Sequence, residues 1–177
     1  CAILLYLLVG SPLALYLPEA NQGQPQLTQK DIEGMVERLA DKLQKEPNNA
    51  EGWQMLGRSY AALQKMPEAL AAYKKALELS PNNAQLMVDY ADLLAFQNKS
   101  IRGEPMRLIQ QALKIEPNNL KALALGGTAY FELGDFKKAE EYWTKAKNLV
   151  PADSEFARGM AENIASAKAE AMNRSKK

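Results

Sequence analysis

Histidine is absent from the 177-residue sequence, and cysteine occurs once, at Cys1. Without histidine the chain lacks the commonest general base, metal ligand and haem axial ligand. The single cysteine leaves the rest of the chain without a thiol nucleophile, a disulfide or a cysteine-rich metal site. The carboxylates are scattered and form no paired motif. We therefore expect a protein that is not an enzyme and that has no metal site and no cofactor of its own.

An excess of positive charge is also missing, since 22 Lys and Arg residues face 21 Asp and Glu residues. Proteins that bind nucleic acid carry clusters of basic side chains, so we expect no nucleic-acid partner. The hydrophobic content of 47% and the charged content of 24% are ordinary for a globular domain.

The one long apolar run lies at the amino terminus, where residues 1–17 carry no charge. A membrane-spanning helix needs about 20 apolar residues, and Gly10, Ser11 and Pro12 interrupt this run. We interpret residues 1–18 as the end of a truncated transmembrane segment (1–9) and its exit (10–18). No Lys or Arg precedes Lys30, and cytoplasmic flanks are usually rich in both, so we expect the following domain outside the cytoplasm.

Two other interpretations of this segment remain open. Cys1 could carry a lipid anchor, although the residues after a lipidated cysteine are usually polar and here they are apolar. The apolar segment could instead pack on the domain itself.

A repeat organises the chain beyond the polar linker at residues 19–27. Pro47, Pro81, Pro117 and Pro151 are spaced 34, 36 and 34 residues apart, and a period near 34 marks an array of two-helix repeats. Proline ends the preceding helix, and the Asn residues at 49, 83 and 119 are natural N-caps for the next helix.

Small and large apolar residues alternate inside each unit, as closely packed helix pairs require. The packing positions are Trp53, Leu56, Gly57, Tyr60, Ala69, Tyr73 and Ala76 in the first unit, Met87, Tyr90, Ala91, Leu94, Ile109 and Ala112 in the second, and Leu123, Gly126, Gly127, Tyr130, Ala139, Trp143 and Ala146 in the third. This spacing matches the tetratricopeptide repeat (TPR). It predicts an all-α TPR solenoid of three helix-turn-helix repeats, at residues 50–83, 84–119 and 120–153, the middle repeat having two extra residues in its turn at 98–103.

Helices on both sides of the repeats are expected to cap the solenoid. Residues 28–45 place Ile32, Met35, Val36, Leu39 and Leu43 on one face after a plausible N-cap at Thr28. Residues 154–172 form the second capping helix, so that the domain spans residues 28–172. The tail at 173–177 is expected to fray.

The first helix of each repeat lines the concave face of such a solenoid. The groove positions are predicted to be Gln54, Met55, Arg58, Gln85, Val88, Asp89, Asp92, Phe96, Lys121, Leu125, Thr128 and Phe131, with Ala62 and Ala124 beside them. Large apolar residues at four of them favour a binding groove over a solvated face. A clamp for a free carboxyl terminus is not expected, because Asp89 would repel a carboxylate. Apolar anchors with two acids suggest an amphipathic helix with basic residues.

The sequence resembles the TPR subunit of the bacterial cytochrome c maturation system, the CycH-type apocytochrome c chaperone. The matching segments are 53–60 (WQMLGRSY), 89–94 (DYADLL), 103–105 (GEP), 122–127 (ALALGG), 142–143 (YW) and 151–155 (PADSE), with 6–12 (YLLVGSP) similar to the exit of that family's second membrane helix. The resemblance implies a bacterial inner-membrane protein with a periplasmic TPR domain. It also implies that the groove holds apocytochrome c, partly through its C-terminal helix, for delivery to the haem lyase and other maturation subunits.

A rival hypothesis is a TPR scaffold subunit of another envelope machine, such as pilus assembly, anchored by a lipid on Cys1. The residues encoded upstream of Cys1 would separate the two. A further membrane helix and loop would support the chaperone, and a lipidation signal ending at Cys1 would support the scaffold.

Overall fold

The computed structural model describes residues 28–175, which are helical with no β-strand in that range. The eight helices are α1 (Gln29–Lys45), α2 (Ala50–Ala62), α3 (Met66–Leu79), α4 (Ala84–Asn98), α5 (Glu104–Ile115), α6 (Leu120–Leu133), α7 (Phe136–Asn148) and α8 (Glu155–Ser175). Each helix packs mainly on the helices that precede and follow it in sequence. Contacts limited to neighbours are the mark of a solenoid, so the predicted all-α repeat architecture is confirmed.

The predicted caps form at all three repeat boundaries. The side-chain oxygens of Asn49, Asn83 and Asn119 each accept a hydrogen bond from the backbone N–H three residues later, at 2.9, 3.0 and 3.0 Å. Thr28 caps α1 in the same way and forms a reciprocal pair with Asp31. Each cap satisfies a backbone donor that a helix start leaves without an intrahelical partner. Sequence alone therefore placed these helix starts correctly.

Aromatic side chains of the second helices pack against glycines of the first helices. Tyr73 lies against Gly57, where a Cβ atom would come within 2.8 Å of the tyrosine ring. Trp143 packs on Gly127 in the third repeat, and its Nε1 donates a hydrogen bond to the carbonyl oxygen of Ala124 at 3.0 Å. The predicted small-and-large packing thus fixes the spacing between paired helices.

The two extra residues of the middle repeat do lie in the turn between α4 and α5. Lys99 (φ 51°) and Gly103 (φ 78°) bend the chain there, and the side chain of Ile101 is buried in the core. The guanidinium of Arg102 donates to the carbonyl oxygen of Glu132 at the end of α6. The insertion therefore joins the second repeat to the third rather than extending into solvent.

The carboxyl-terminal helix is longer than predicted. The capping helix was predicted at residues 154–172, and α8 continues to Ser175. Arg174 secures the last turn, because its guanidinium stacks on the Phe136 ring at 4.8 Å and its Nη1 donates to the carbonyl oxygen of Gly134 at 3.2 Å.

The amino-terminal capping helix is less buried than its pattern predicts. Val36 and Leu43 are buried and Leu39 is half-buried, but Ile32 and Met35 are exposed. Ile32 and Met35 remain exposed because α1 packs mainly on one helix, α2, within residues 28–175.

The predicted membrane exit (1–18) and linker (19–27) lie outside the described residues. None of the helices that the structure describes is long and apolar enough to cross a membrane.

Candidate peptide-binding groove

The first helices of the three repeats, α2, α4 and α6, carry the predicted groove residues. Side chains from all three helices meet at Asp89 of α4. Its Oδ2 accepts a hydrogen bond from Nη2 of Arg58 on α2 at 2.9 Å. Its Oδ1 accepts from Nζ of Lys121 on α6 at 3.1 Å and from Nε2 of Gln85 at 3.0 Å. One buried carboxylate therefore ties three successive repeats together.

Further polar residues extend this arrangement along the face. Asp92 Oδ2 lies 2.7 Å from Lys121 Nζ, and Asn119 Nδ2 donates to Gln85 Oε1 at 3.3 Å. We call the whole set the Asp89 network, and it comprises Arg58, Gln85, Asp89, Asp92, Asn119 and Lys121. Within residues 28–175 no buried side-chain polar atom lacks a hydrogen-bond partner, so the network is satisfied.

The cations of the Asp89 network are more exposed than its acids. The exposed fractions are 55% for the Arg58 side chain and 41% for Lys121, against 9% for Asp89 and 21% for Asp92. The sequence suggested that Asp89 would attract basic residues of a ligand. In the structure Asp89 is not available for this, because Arg58 and Lys121 already neutralise its carboxylate.

Both cations keep their charge. Burial acts to lower the pKa of the Lys121 ammonium, but the Asp92 and Asp89 carboxylates outweigh it and hold the pKa above its ordinary value. Burial likewise opposes the charge of Arg58, and the hydrogen bond and charge of Asp89 raise its pKa in spite of that. The groove face therefore carries two fixed positive charges.

Two of the four predicted apolar anchors are well exposed. Met55 on α2 and Phe96 on α4 are 60% and 51% exposed. The other two, Leu125 and Phe131 on α6, are half-buried and therefore less exposed. Leu125 packs on the core. Phe131 stacks against Phe136 and Trp143, with its ring centroid 5.2 and 5.8 Å from theirs. The apolar part of the groove therefore centres on Met55 and Phe96.

Val88 does not belong to the groove. Its side chain is fully buried in the core with Ala91 and Ile109. The helix α4 is the middle first helix and packs on α3, α5 and α6. Burial from several sides leaves α4 only a narrow exposed strip, which contains Phe96 but not Val88.

The remaining predicted positions are polar and half-buried. The hydroxyl of Thr128 donates to the carbonyl oxygen of Ala124 in its own helix at 3.2 Å, and Gln54 lies beside the exposed Met55. Asn119 was interpreted only as a helix cap, yet its amide nitrogen also reaches the groove through Gln85. The two residues lie 34 positions apart in sequence, so this contact depends on the stacking of the second and third repeats.

Metal ligands do not gather on this face or elsewhere in the described part of the chain. Residues 28–175 contain no group of three or more His, Cys, Asp or Glu side chains that could hold a metal ion.

Comparison with known proteins decides the family. Residues 17–157 match the model described as the cytochrome c-type biogenesis protein H TPR domain. The chain belongs to this family. The match covers all three repeats and both α1 and the start of α8, so membership in the cytochrome c biogenesis TPR family rests on the whole repeat region.

Relatives of this TPR family chain include two curated bacterial proteins. It is 30% identical over 136 residues to the putative cytochrome c-type biogenesis protein CcmH of Haemophilus influenzae, covering 76% of this chain and 30% of that protein. It is also 30% identical over 123 residues to the formate-dependent nitrite reductase complex subunit NrfG of Escherichia coli O157:H7, covering 69% and 62%. The chain thus spans about a third of the first relative and less than two thirds of the second.

Solved structures confirm the fold of this family member. The crystal structure of MamA superposes with a TM-score of 0.63 over 84% of this chain and 94% of that chain, at 17% identity. At this identity the likeness concerns the TPR fold alone.

Proposed function

We propose that this cytochrome c biogenesis TPR chain is a non-catalytic binding module that holds apocytochrome c for delivery to the haem ligation complex. In this proposal the C-terminal helix of the apocytochrome lies along α2, α4 and α6. The supporting observation is that Met55 on α2 and Phe96 on α4, at positions predicted to line the groove, expose half or more of their large apolar side chains. Such residues on a predicted groove favour a partner that covers them.

We also propose that the chain is held at the bacterial inner membrane with its TPR domain in the periplasm. The uncharged residues 1–17 and the lack of Lys or Arg before Lys30 support this location. The family membership supports partners among the cytochrome c maturation subunits, including the haem lyase.

Calorimetry with a 20-residue peptide from the C-terminal helix of a c-type apocytochrome tests the groove. Phe96→Ala and Met55→Ala should each weaken binding, because truncating a central apolar anchor costs about 2 kcal/mol, close to a thirtyfold loss of affinity. Matched controls are Met172→Ala on α8, which is as exposed as Met55, and Ile115→Ala at the end of α5.

The controls should bind the peptide like the parent chain. Full binding retained in both groove variants would place the ligand on another face. If no such peptide binds the parent chain at all, the apocytochrome proposal is wrong although the repeat fold remains.

A further inference from the structure

Helix α1 occupies the place of a second helix in the repeat array. It packs on α2, the first helix of the next repeat, as α3 packs on α4. Met35 and Ala69 are one repeat period of 34 residues apart, and Ala69 is fully buried in the complete first repeat. Another buried residue of α3, Tyr73, packs on Gly57 of α2. No first helix precedes α1 within residues 28–175, so α1 lacks the partner that α3 has in α2.

The residues of α1 in the corresponding register are apolar. Ile32 and Met35 are 37% and 41% exposed, and Leu39 beside them is half-buried. We call these three residues the α1 face. The exposed end of a repeat array is normally polar, so two large apolar side chains left in contact with water indicate that another group covers them.

The segment that the repeat period assigns to the missing first helix does not suit a helix. One period before α2 (Ala50–Ala62) lie residues 16–28, which contain Pro18, Gly23 and Pro25. Proline and glycine within such a stretch oppose an uninterrupted helix. The cover of the α1 face therefore has to come from a different segment or a different molecule.

We propose that residues 13–17 (LALYL) pack against the α1 face. These residues lie outside the described part of the chain, and in sequence they belong to the exit of the predicted membrane segment. They comprise three leucines, an alanine and a tyrosine, with no charge. The segment and the α1 face both carry apolar groups, which gain free energy from mutual burial. This inference goes beyond the proposed function, because it determines which end of the TPR domain lies at the membrane exit.

The linker at residues 19–27 is long enough for this contact. Its nine residues span up to about 30 Å, whereas α1 advances by only about 16 Å from Thr28 to Leu39. Five extended residues cover about 17 Å, so residues 13–17 are long enough to cross the α1 face. Because the segment is tethered to α1, its effective concentration is high and a small apolar contact suffices.

A second copy of the chain fits the α1 face less well. A stable interface buries about 800 Å² on each partner, and two partly exposed side chains supply a small part of that area. A tethered segment needs no such area. Residues 13–17 are also uncharged, so they can cover the apolar residues while Arg38 and Lys42, exposed on the same helix, stay in water.

Cysteine cross-linking on the full chain tests the contact. The background is Cys1→Ser, and Leu15→Cys is combined with either Met35→Cys or Glu37→Cys. Glu37 is the matched control, because it is exposed at nearly the same tether length but about 200° around α1 from Met35. A disulfide requires Cα atoms within about 7 Å, so the pair with Met35→Cys should form at least about tenfold faster. Equal rates would mean that residues 13–17 do not rest on the α1 face, and the proposal would be wrong.

Labelling gives a second readout that needs no disulfide. A water-soluble maleimide should label Met35→Cys about tenfold more slowly in the intact chain than after Leu13, Leu15 and Leu17 are replaced by serine, the effect of a contact worth about 1.4 kcal/mol. The labelling rate of Glu37→Cys should be the same with and without the serine replacements.

The outcomes separate this inference from the proposed function. Unchanged labelling of Met35→Cys after the serine replacements would overturn the docking of residues 13–17. Dimers cross-linked through Met35→Cys would overturn it too, because they would assign the α1 face to a second copy. Calorimetry of the groove peptide is independent of both measurements, so either proposal can fail while the other stands.

Discussion

Adding one methyl group at Gly127 should destabilise the third repeat. Gly127 is a buried residue of α6, and a Cβ atom there would overlap with Nε1 and Cδ1 of the Trp143 indole. The ring cannot easily move away, because Trp143 is buried and its Nε1 is bonded to the carbonyl oxygen of Ala124 at 3.0 Å. The substitution Gly127→Ala therefore sets helix propensity against packing.

The packing penalty should exceed the gain in helix propensity. Replacing glycine by alanine inside a helix gains about 1 kcal/mol. Overpacking a core costs about 1–3 kcal/mol, and a displaced indole that loses its buried partner costs about 1–3 more. The free energy of unfolding should therefore fall by about 1–5 kcal/mol in Gly127→Ala.

Urea unfolding followed by circular dichroism measures this change, and Gly159→Ala is the matched control. Gly159 lies inside α8, and no heavy atom outside its own helix backbone lies within 4 Å of the Cβ position. Gly159→Ala should stabilise the chain by about 0.5–1 kcal/mol. If Gly127→Ala stabilises the chain as much as Gly159→Ala does, the close contact with Trp143 does not determine the helix spacing and the reasoning is refuted.

Three further predictions concern pH and the two ends of the domain. Burial raises the pKa of the Tyr73 hydroxyl well above its ordinary value, with the Asp89 charge adding to the rise, so the unfolded state ionises first. Tyr73 should contribute no pH dependence below pH 10 and should lower stability by up to about 1.4 kcal/mol per pH unit above it, and urea titrations of Tyr73→Phe should show a smaller fall above pH 10. Arg174→Ala should speed amide hydrogen exchange in the last turn of α8, because it removes the stacking on Phe136; unchanged exchange would mean that Arg174 does not secure this turn. Removing residues 1–18 should leave the helical circular dichroism signal unchanged, since all eight described helices lie beyond the cut, and a loss of helicity would assign that segment to the core.

The apolar anchors show how far a repeat pattern can predict a surface. Met55 and Phe96 were identified from their register in the first helices, and both are exposed. Val88 occupies the register of Gln54, which is half-buried on α2, and is itself fully buried, because α4 packs against more helices than α2 does. A helical pattern gives the direction of a side chain on its own helix. It does not give the number of helices that surround that helix.

The fold could be predicted from the sequence because interactions between residues close in sequence determine where its helices begin and end. The prolines at 47, 81, 117 and 151 and the capping asparagines fix helix boundaries through interactions that span a few residues, and their period of about 34 specifies the stacked pairs. The pairings within the Asp89 network could not be predicted from such local interactions. Its acids and cations were visible as separate groove residues, but the pairs join residues 31 and 32 positions apart on different helices. Only the stacking of three repeats buries Asp89 and leaves Arg58 and Lys121 exposed, so the tertiary structure alone decided which charge the groove presents.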